Sequence, residues 1–164
     1  MHTLVVMGRD NYRDNMQKIV ADAAEKYEKA CYVSFSDPYH VVVEMMQNAN
    51  VSEEKFIIID ASGNVKEIMP IGKTKYVVPL KDLFNVYLFL RNLIKDEEIG
   101  MLLLDSVSAL IYNYNELPLK EMLTDLLLEV GAFRCNSSIV VLDVHMNHEV
   151  IEHINPLIGE RLIL

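Results

Sequence analysis

Short, continuously apolar runs separated by segments with helical spacing restrict most strongly what this chain of 164 residues folds into. The runs predict strands at residues 4–7, 32–35, 56–59, 76–78, 101–104, 138–142 and 161–164. Strands that are apolar throughout, with helices between them, are typical of a parallel sheet whose two faces are both covered. We therefore predict an α/β fold, a three-layer αβα sandwich around a mostly parallel sheet, formed by one domain over residues 1–164.

The segments between the strands predict helices by the spacing of their apolar residues. Asp37-Pro38 indicates the start of the second helix, with Asp37 as its N-cap and proline in the first helical position. The helix that contains residues 83–94 is apolar nearly all round, which predicts that it is deeply packed. Residues 61–74 and 112–115 are predicted to be loops.

Composition and charge argue against several classes of protein. A net charge of −9 disfavours general DNA or RNA binding, which depends on a basic surface. No segment reaches the roughly 18 to 20 apolar residues of a membrane span, and the first residues lack the basic and apolar pattern of a signal peptide. Cys31 and Cys135 adjoin apolar runs outside any C-x-x-C spacing, which is typical of buried thiols in a cytoplasmic protein.

The carboxyl ends of the predicted strands are acidic. Four of the strands are followed, at once or after one residue, by Asp37, Asp60, Asp105 and Asp143. Ligands of parallel α/β sheets bind beyond this edge. The loop of residues 8–15, between the first strand and the first helix, is predicted to face these aspartates.

That loop stands where the phosphate-binding pattern G-x-x-x-x-G-K-[ST] occurs in nucleotide-binding proteins. In the pattern, glycines let backbone amides surround the phosphates, the lysine neutralises them and the hydroxyl binds magnesium. Counting from Gly8, Arg13 replaces the second glycine, Asp14 the lysine and Asn15 the hydroxyl residue. Asp14 would repel a phosphate, so ordinary ATPase activity is not expected.

Two interpretations of the loop stay open. It is a plain strand-to-helix turn capped by Asp10 or Asn11, or it keeps an anion site in which Arg9 or Arg13 supplies the positive charge.

A second motif lies at the end of the fifth predicted strand. Met101-Leu102-Leu103-Leu104-Asp105 has the form of a Walker B strand, four apolar residues followed by an aspartate that holds magnesium through water. Together with Ser106-Val107-Ser108-Ala109-Leu110-Ile111-Tyr112-Asn113, it resembles the Walker B region of the RecA/KaiC-like P-loop ATPases. Residues 32–39, 56–63 and 157–164 resemble further strands of that family with matching spacing, so the resemblance covers essentially the whole chain.

Within that family, the chain most resembles small archaeal KaiC-like proteins of unassigned function with a degenerate Walker A motif. The resemblance implies a RecA-like sheet, a site for ATP or ADP with magnesium at its carboxyl edge, and association into homo-oligomers. The residues implied in nucleotide binding are Gly8, Arg9, Asp10, Asn11, Tyr12, Arg13, Asp105 and Ser106. Asp105 is the implied magnesium ligand. Ser36 and Asp37 stand where the family has the glutamates that activate water, which makes Asp37 a candidate catalytic residue.

Two hypotheses on function start from the altered phosphate loop. In the first, the protein is a non-hydrolysing regulatory or scaffold protein, a pseudo-ATPase that acts through protein contacts, because the loop lacks the charge that stabilises a transferring phosphoryl group. In the second, it is a weak or atypical nucleotide-binding protein or ATPase that uses Arg9, Arg13 and Asp105. Occlusion of the loop by Tyr12 or Asp14 would favour the first.

A third hypothesis is a divalent-metal-dependent enzyme at the acidic edge of the sheet. Asp143, His145 and His148 are its candidate metal ligands, because carboxylates and imidazoles bind magnesium, zinc and related ions. The alternative for these histidines is that they are surface residues flanking a short helix.

Overall fold

The computed structural model describes residues 1–164 and contains eight strands and six α-helices. The strands are β1 (His2–Met7), β2 (Ala30–Ser34), β3 (Phe56–Asp60), β4 (Met69–Pro70), β5 (Lys75–Val77), β6 (Met101–Asp105), β7 (Asn136–Leu142) and β8 (Glu160–Ile163). The helices are α1 (Tyr12–Lys26), α2 (Tyr39–Asn48), α3 (Leu83–Asp96), α4 (Val107–Asn113), α5 (Glu116–Ala132) and α6 (Glu149–Ile154). Each predicted strand is therefore present, with ends that differ by one or two residues.

All eight strands form one sheet in the order β4-β5-β3-β2-β6-β7-β1-β8. Every neighbouring pair is parallel except β4 and β5. The prediction of a mostly parallel α/β sheet is therefore confirmed. Strand β4 lies in the segment predicted to be a loop. Its two residues, Met69 and Pro70, are exposed at the sheet edge and lie in the short apolar run Ile68–Ile71, but a proline within such a run argues against a strand.

Helices cover both faces of the sheet, which explains why the strands are apolar without alternation. Helices α1 and α2 pack on one face, against strand residues such as Tyr32 and Leu103. Helices α3, α4, α5 and α6 pack on the other face, against residues such as Val33 and Leu104. The predicted three-layer sandwich is thus the observed architecture.

The start of helix α2 differs from the prediction. The N-cap position is Pro38, and no side chain of the preceding turn caps the helix. Asp60, at the end of neighbouring strand β3, accepts the hydrogen bond from the Tyr39 amide at 2.9 Å instead. The prediction that Asp37 is the N-cap is therefore wrong, because a neighbouring strand supplies the acceptor.

Two further expectations about local structure are wrong. Helix α3 is not deeply packed all round, since Phe84 is 65% exposed. One face of α3 packs on the core and on α5, and no element covers the side that carries Phe84. Tyr112 and Asn113 lie in helix α4 and not in a loop, since that helix extends to Asn113, and only Tyr114 and Asn115 of the predicted loop lie outside it.

Both cysteines are free and buried, as predicted for Cys31 and Cys135. None of the helices combines the length and the apolar character that crossing a bilayer requires.

Candidate functional site

A cleft of about 420 Å³ opens at the carboxyl edge of the sheet, beside the β1–α1 loop. Its lining residues are Arg9, Tyr12, Arg13, Ser36, Asp37, Ser106, Ser108, Ala109, Tyr112 and Leu142. The loop, the turn after β2 and the start of α4 therefore meet where the sequence predicted a site. Among the predicted nucleotide-binding residues, Gly8, Asp10, Asn11 and Asp105 do not line this cleft.

The β1–α1 connection is a short turn. Helix α1 begins at Tyr12, only four residues after Gly8, and the Tyr12 amide donates to the Arg9 carbonyl at 3.4 Å. Asn11 holds the N-cap position without a side-chain hydrogen bond, and Asp10 makes none either. The backbone of residues 8–11 forms a short strand-to-helix turn, but the predicted side-chain cap by Asp10 or Asn11 is wrong.

The first turn of α1 contains the residues that replace the phosphate-binding pattern. Asp14 is exposed there, where a carboxylate interacts favourably with the positive end of the helix dipole. Asn15 is buried. The backbone amides of Arg13 and Asp14 have no acceptor within the protein. This turn therefore offers two free N–H groups, but the one acidic side chain in the turn opposes an anion.

Asp105 ends strand β6 and is 2% exposed. The Tyr12 phenol donates a hydrogen bond to its Oδ1 atom, and the Tyr32 phenol donates to its Oδ2 atom. Burial raises the pKa of the Asp105 carboxyl to about 7, whereas the two donors favour the ionised form. Burial also raises the pKa of the Tyr32 phenol, so this group stays protonated and remains a donor.

Tyr12 separates Asp105 from the open cleft. The tyrosine lines both the cleft and a void of about 10 Å³ behind it, and Asp105 lines only the void. A void of that size is at the lower limit for a single water molecule. The aspartate that the sequence assigned to magnesium is therefore enclosed.

The residues at this position do not fit a magnesium-bound nucleotide. Magnesium needs near-octahedral oxygen ligands and keeps several waters. Asp105, whose oxygens accept phenol hydrogen bonds, lines a void of only about 10 Å³, which has no room for a hydrated ion, and no hydroxyl follows Asp14, where the pattern has serine or threonine. We therefore derive no chemistry that passes through a metal-bound phosphate at Asp105.

The floor of the cleft is held by buried serines. The Ser108 hydroxyl accepts a hydrogen bond from the Leu142 amide at 2.8 Å and so joins helix α4 to the end of β7. On the opposite wall, the Ser34 hydroxyl donates to the Asp37 carbonyl at 2.6 Å. Asp37, the candidate catalytic residue, lines the cleft together with Ser36, Arg9 and Arg13; its catalytic role stays a prediction.

The histidines do not form a metal centre with Asp143. No group of three histidine, cysteine or carboxylate side chains lies close enough to share one metal ion. The His148 ring accepts from the Val150 amide at 3.3 Å and caps α6. His145 packs edge-on against Tyr112, with ring centroids 4.9 Å apart, and burial lowers the pKa of its imidazole. The structure therefore gives these histidines local packing and capping contacts.

Three side chains of the site were not predicted from the sequence. Tyr32 lies in the middle of a strand, and only the pairing of β2 with β6 brings it to Asp105. Ser108 and Leu142 line the cleft because α4 turns back onto the end of β7. Tyr32 and Ser108 lie in segments that carry the family resemblance, but nothing in the sequence indicated that their side chains contact Asp105 and the Leu142 amide.

Comparison with known proteins yields a match in structure only. No protein-family model matches the chain. No curated protein matches its sequence. Among solved structures, a KaiC-like protein from the hyperthermophilic archaeon Pyrococcus horikoshii superposes with a TM-score of 0.73 over 99% of this chain and 70% of that chain, at 14% identity.

The chain has the KaiC-like RecA fold. At 14% identity the likeness concerns the fold alone. The KaiC-like fold explains why the β1–α1 turn, the turn after β2 and the end of β6 meet at one edge of the sheet. The superposition confirms the RecA-like fold that the sequence resemblance implied.

Proposed function

We propose that this chain is a KaiC-like domain that does not hydrolyse ATP and acts as a regulatory or scaffold protein through protein contacts. The observation that carries the proposal is the enclosure of Asp105 by the phenols of Tyr12 and Tyr32. A metal ion that entered from the cleft would have to displace Tyr12 to reach this carboxylate.

The charge of the β1–α1 turn supports the same proposal. Asp14 stands where a phosphate-binding loop has lysine, and Asp10 is also exposed in this turn. Loss of a single preorganised stabilising group commonly lowers a catalytic rate by about 10² to 10³. Here the stabilising cation is replaced by a charge of the opposite sign.

Measurement of ATP hydrolysis by the purified chain, with millimolar ATP and magnesium, tests this proposal. We expect no release of phosphate above the protein-free blank, and no difference between the wild type and Asp105→Asn. Hydrolysis by the wild type that Asp105→Asn abolishes would overturn the proposal. The paired variant also identifies a contaminating ATPase, whose activity would not depend on Asp105.

A cytoplasmic location belongs to the same proposal, because both thiols of the chain are free. Association into homo-oligomers and the lack of nucleic-acid binding remain predictions. Sedimentation velocity measures the first, and electrophoretic mobility of a labelled DNA duplex measures the second.

A second candidate function is binding of a nucleotide or another anion without magnesium. Arg9 and Arg13 both line the cleft and make no ion pair with any carboxylate. The cleft volume of about 420 Å³ falls within the range of small-molecule sites. These two free guanidinium groups are the specific observation that favours this function.

Thermal unfolding with ATP in the presence of EDTA tests the second candidate. We expect ATP to raise the melting temperature of the wild type and to leave that of Arg9→Ala/Arg13→Ala unchanged. Lys18→Ala, which removes an exposed cation of α1 that does not line the cleft, is the matched control. Equal shifts in all three proteins, or no shift in the wild type, would contradict this function.

A further inference from the structure

A groove runs along the seam between helices α3 and α5, on the surface of the sandwich; its floor along α5 is apolar, and its end near Lys81, Asp82 and Asn115 is polar. Three adjoining depressions, of about 160, 310 and 520 Å³, form it. They adjoin because the first shares Tyr87 with the second and Phe84 with the third. We call this surface the α3–α5 groove and define it by Phe84, Tyr87, Pro118, Asp125 and Leu128.

Large apolar side chains stand exposed along the α3–α5 groove. Phe84 is 65% exposed and Leu128 is 55% exposed, whereas Leu83 and Met122 form a nearly buried floor. The rings of Phe84 and Tyr87 lie 6.2 Å apart. A contiguous apolar patch of this kind with a polar rim is typical of an interaction site.

The rim of the α3–α5 groove on α5 is acidic. Glu121, Asp125 and Glu129 follow each other at i, i+4 spacing, which places like charges next to each other on one helix face. Glu129 pairs with Arg91 at 3.1 Å. Glu121 and Asp125 have no cationic partner in the protein. A bound cationic group would remove this unfavourable repulsion.

The length of the groove fits a helix. From Pro118 to Ala132, the depressions follow α5 over 15 residues, whose 14 steps of about 1.5 Å span about 21 Å. A partner helix of about four turns covers that distance and lays its apolar face into the groove.

We infer that the α3–α5 groove binds an amphipathic helix of another protein, whose apolar face covers Phe84 and Leu128 and whose lysines or arginines pair with Glu121 and Asp125. The inference rests on the proposed function, since a domain that acts through protein contacts requires a surface for them. A partner with a basic face complements the acidic rim better than a second copy of this chain, whose net charge is −9.

A synthetic peptide tests this inference on the full chain. The probe is a fluorescein-labelled peptide of about 14 residues, with leucines at i, i+3, i+4 and i+7 and lysines elsewhere. Its binding to the protein is measured by fluorescence anisotropy. A peptide with glutamate in place of each lysine controls for charge. A peptide of the same composition, with its leucines distributed around the helix, controls for non-specific attraction to a chain of net charge −9.

Variants of exposed residues locate the binding surface. We expect Phe84→Ser to raise the Kd at least about tenfold, and Ile163→Ser, at an equally exposed position on β8, to change it less than about twofold. Glu121→Lys/Asp125→Lys is expected to weaken binding at least about tenfold, against less than about twofold for Glu25→Lys/Glu28→Lys, which changes the net charge equally.

Three outcomes would overturn the inference. The first is equal binding of the patterned and the redistributed peptide, and the second is binding that Phe84→Ser leaves unchanged. The third is a dimer in sedimentation velocity that Phe84→Ser dissociates, since the groove would then hold a second copy. ATP hydrolysis is measured on the same samples. If the protein hydrolyses ATP and also binds the patterned peptide selectively, the proposed lack of ATPase activity is overturned but the inference about the α3–α5 groove is not.

Discussion

Replacement of Asp105 by asparagine removes the one ionisable group at the end of β6 and keeps the size of the side chain. The carboxyl is buried, and both of its oxygens accept hydrogen bonds from phenols. Burial raises its pKa from 3.8 to about 7. The folded protein therefore holds this proton more tightly than the unfolded chain does. The resulting contribution to the free energy of unfolding is complete below about pH 4 and is lost as the pH rises through about 7.

The magnitude follows from the two pKa values. Each pKa unit corresponds to about 1.4 kcal/mol, so a group that titrates at 3.8 when unfolded and at about 7 when folded loses about 2.5 kcal/mol between about pH 5 and about pH 8. The Tyr12 and Tyr32 phenols favour the ionised form, so this figure is the upper end of the expectation.

Urea unfolding of the wild type and Asp105→Asn, at about pH 5 and about pH 8, measures this contribution. We expect the stability of the wild type relative to the variant to fall by about 1 to 2.5 kcal/mol over that range. His2 and His145, whose pKa values burial lowers, are present in both proteins and cancel in the difference. A difference that does not change with pH would refute the reasoning, because it would mean that Asp105 stays ionised in the folded protein.

The hydrogen bonds around the site give two further predictions. Tyr32→Phe removes a buried donor from the Asp105 carboxylate and should lower the free energy of unfolding by about 1 to 3 kcal/mol in urea. Tyr76→Phe, at a tyrosine whose ring packs on Phe89 and whose hydroxyl makes no hydrogen bond, should change it by less than about 0.5 kcal/mol. Equal effects of the two substitutions would contradict the hydrogen bond from Tyr32 to Asp105. Ser108→Ala leaves the Leu142 amide without an acceptor and should cost about 1 to 3 kcal/mol by the same assay. The exposed Ser36→Ala is its control, and a neutral Ser108→Ala would show that water or another group satisfies that amide.

The fold was largely predictable because strands that are buried on both faces of the sheet are apolar at every position. Runs such as Phe56–Ile59 are apolar at every position, and no alternation competes with that signal. The edge strand β4 is only two residues long, and Pro70 interrupts the apolar run in which it lies, so that run did not predict a strand. The exposure of Phe84 could not be predicted either. The same apolar residue types occur in the core and on the surface, so residue type alone does not distinguish the two.

The candidate site was predictable only in part. The position of the β1–α1 turn, the charge of Asp14 and the placement of Asp105 at a strand end follow from local sequence. The Tyr32 contact does not, because β2 adjoins β6 only after β3, β4 and β5 have been placed on the other side of β2. Tyr12 was one of two side chains expected to occlude the loop, and its bond to Asp105 depends on the direction of the first turn of α1.

The Asp105 carboxylate accepts hydrogen bonds from the phenols of Tyr12 and Tyr32, and we propose that it binds no metal ion. Titration of Mn²⁺ into the protein with ATP, followed by electron paramagnetic resonance of the free ion, tests it most directly. We predict that the wild type and Asp105→Asn remove the same amount of free Mn²⁺ at every concentration. A bound ion that the wild type retains with ATP, and that Asp105→Asn loses, would contradict the account.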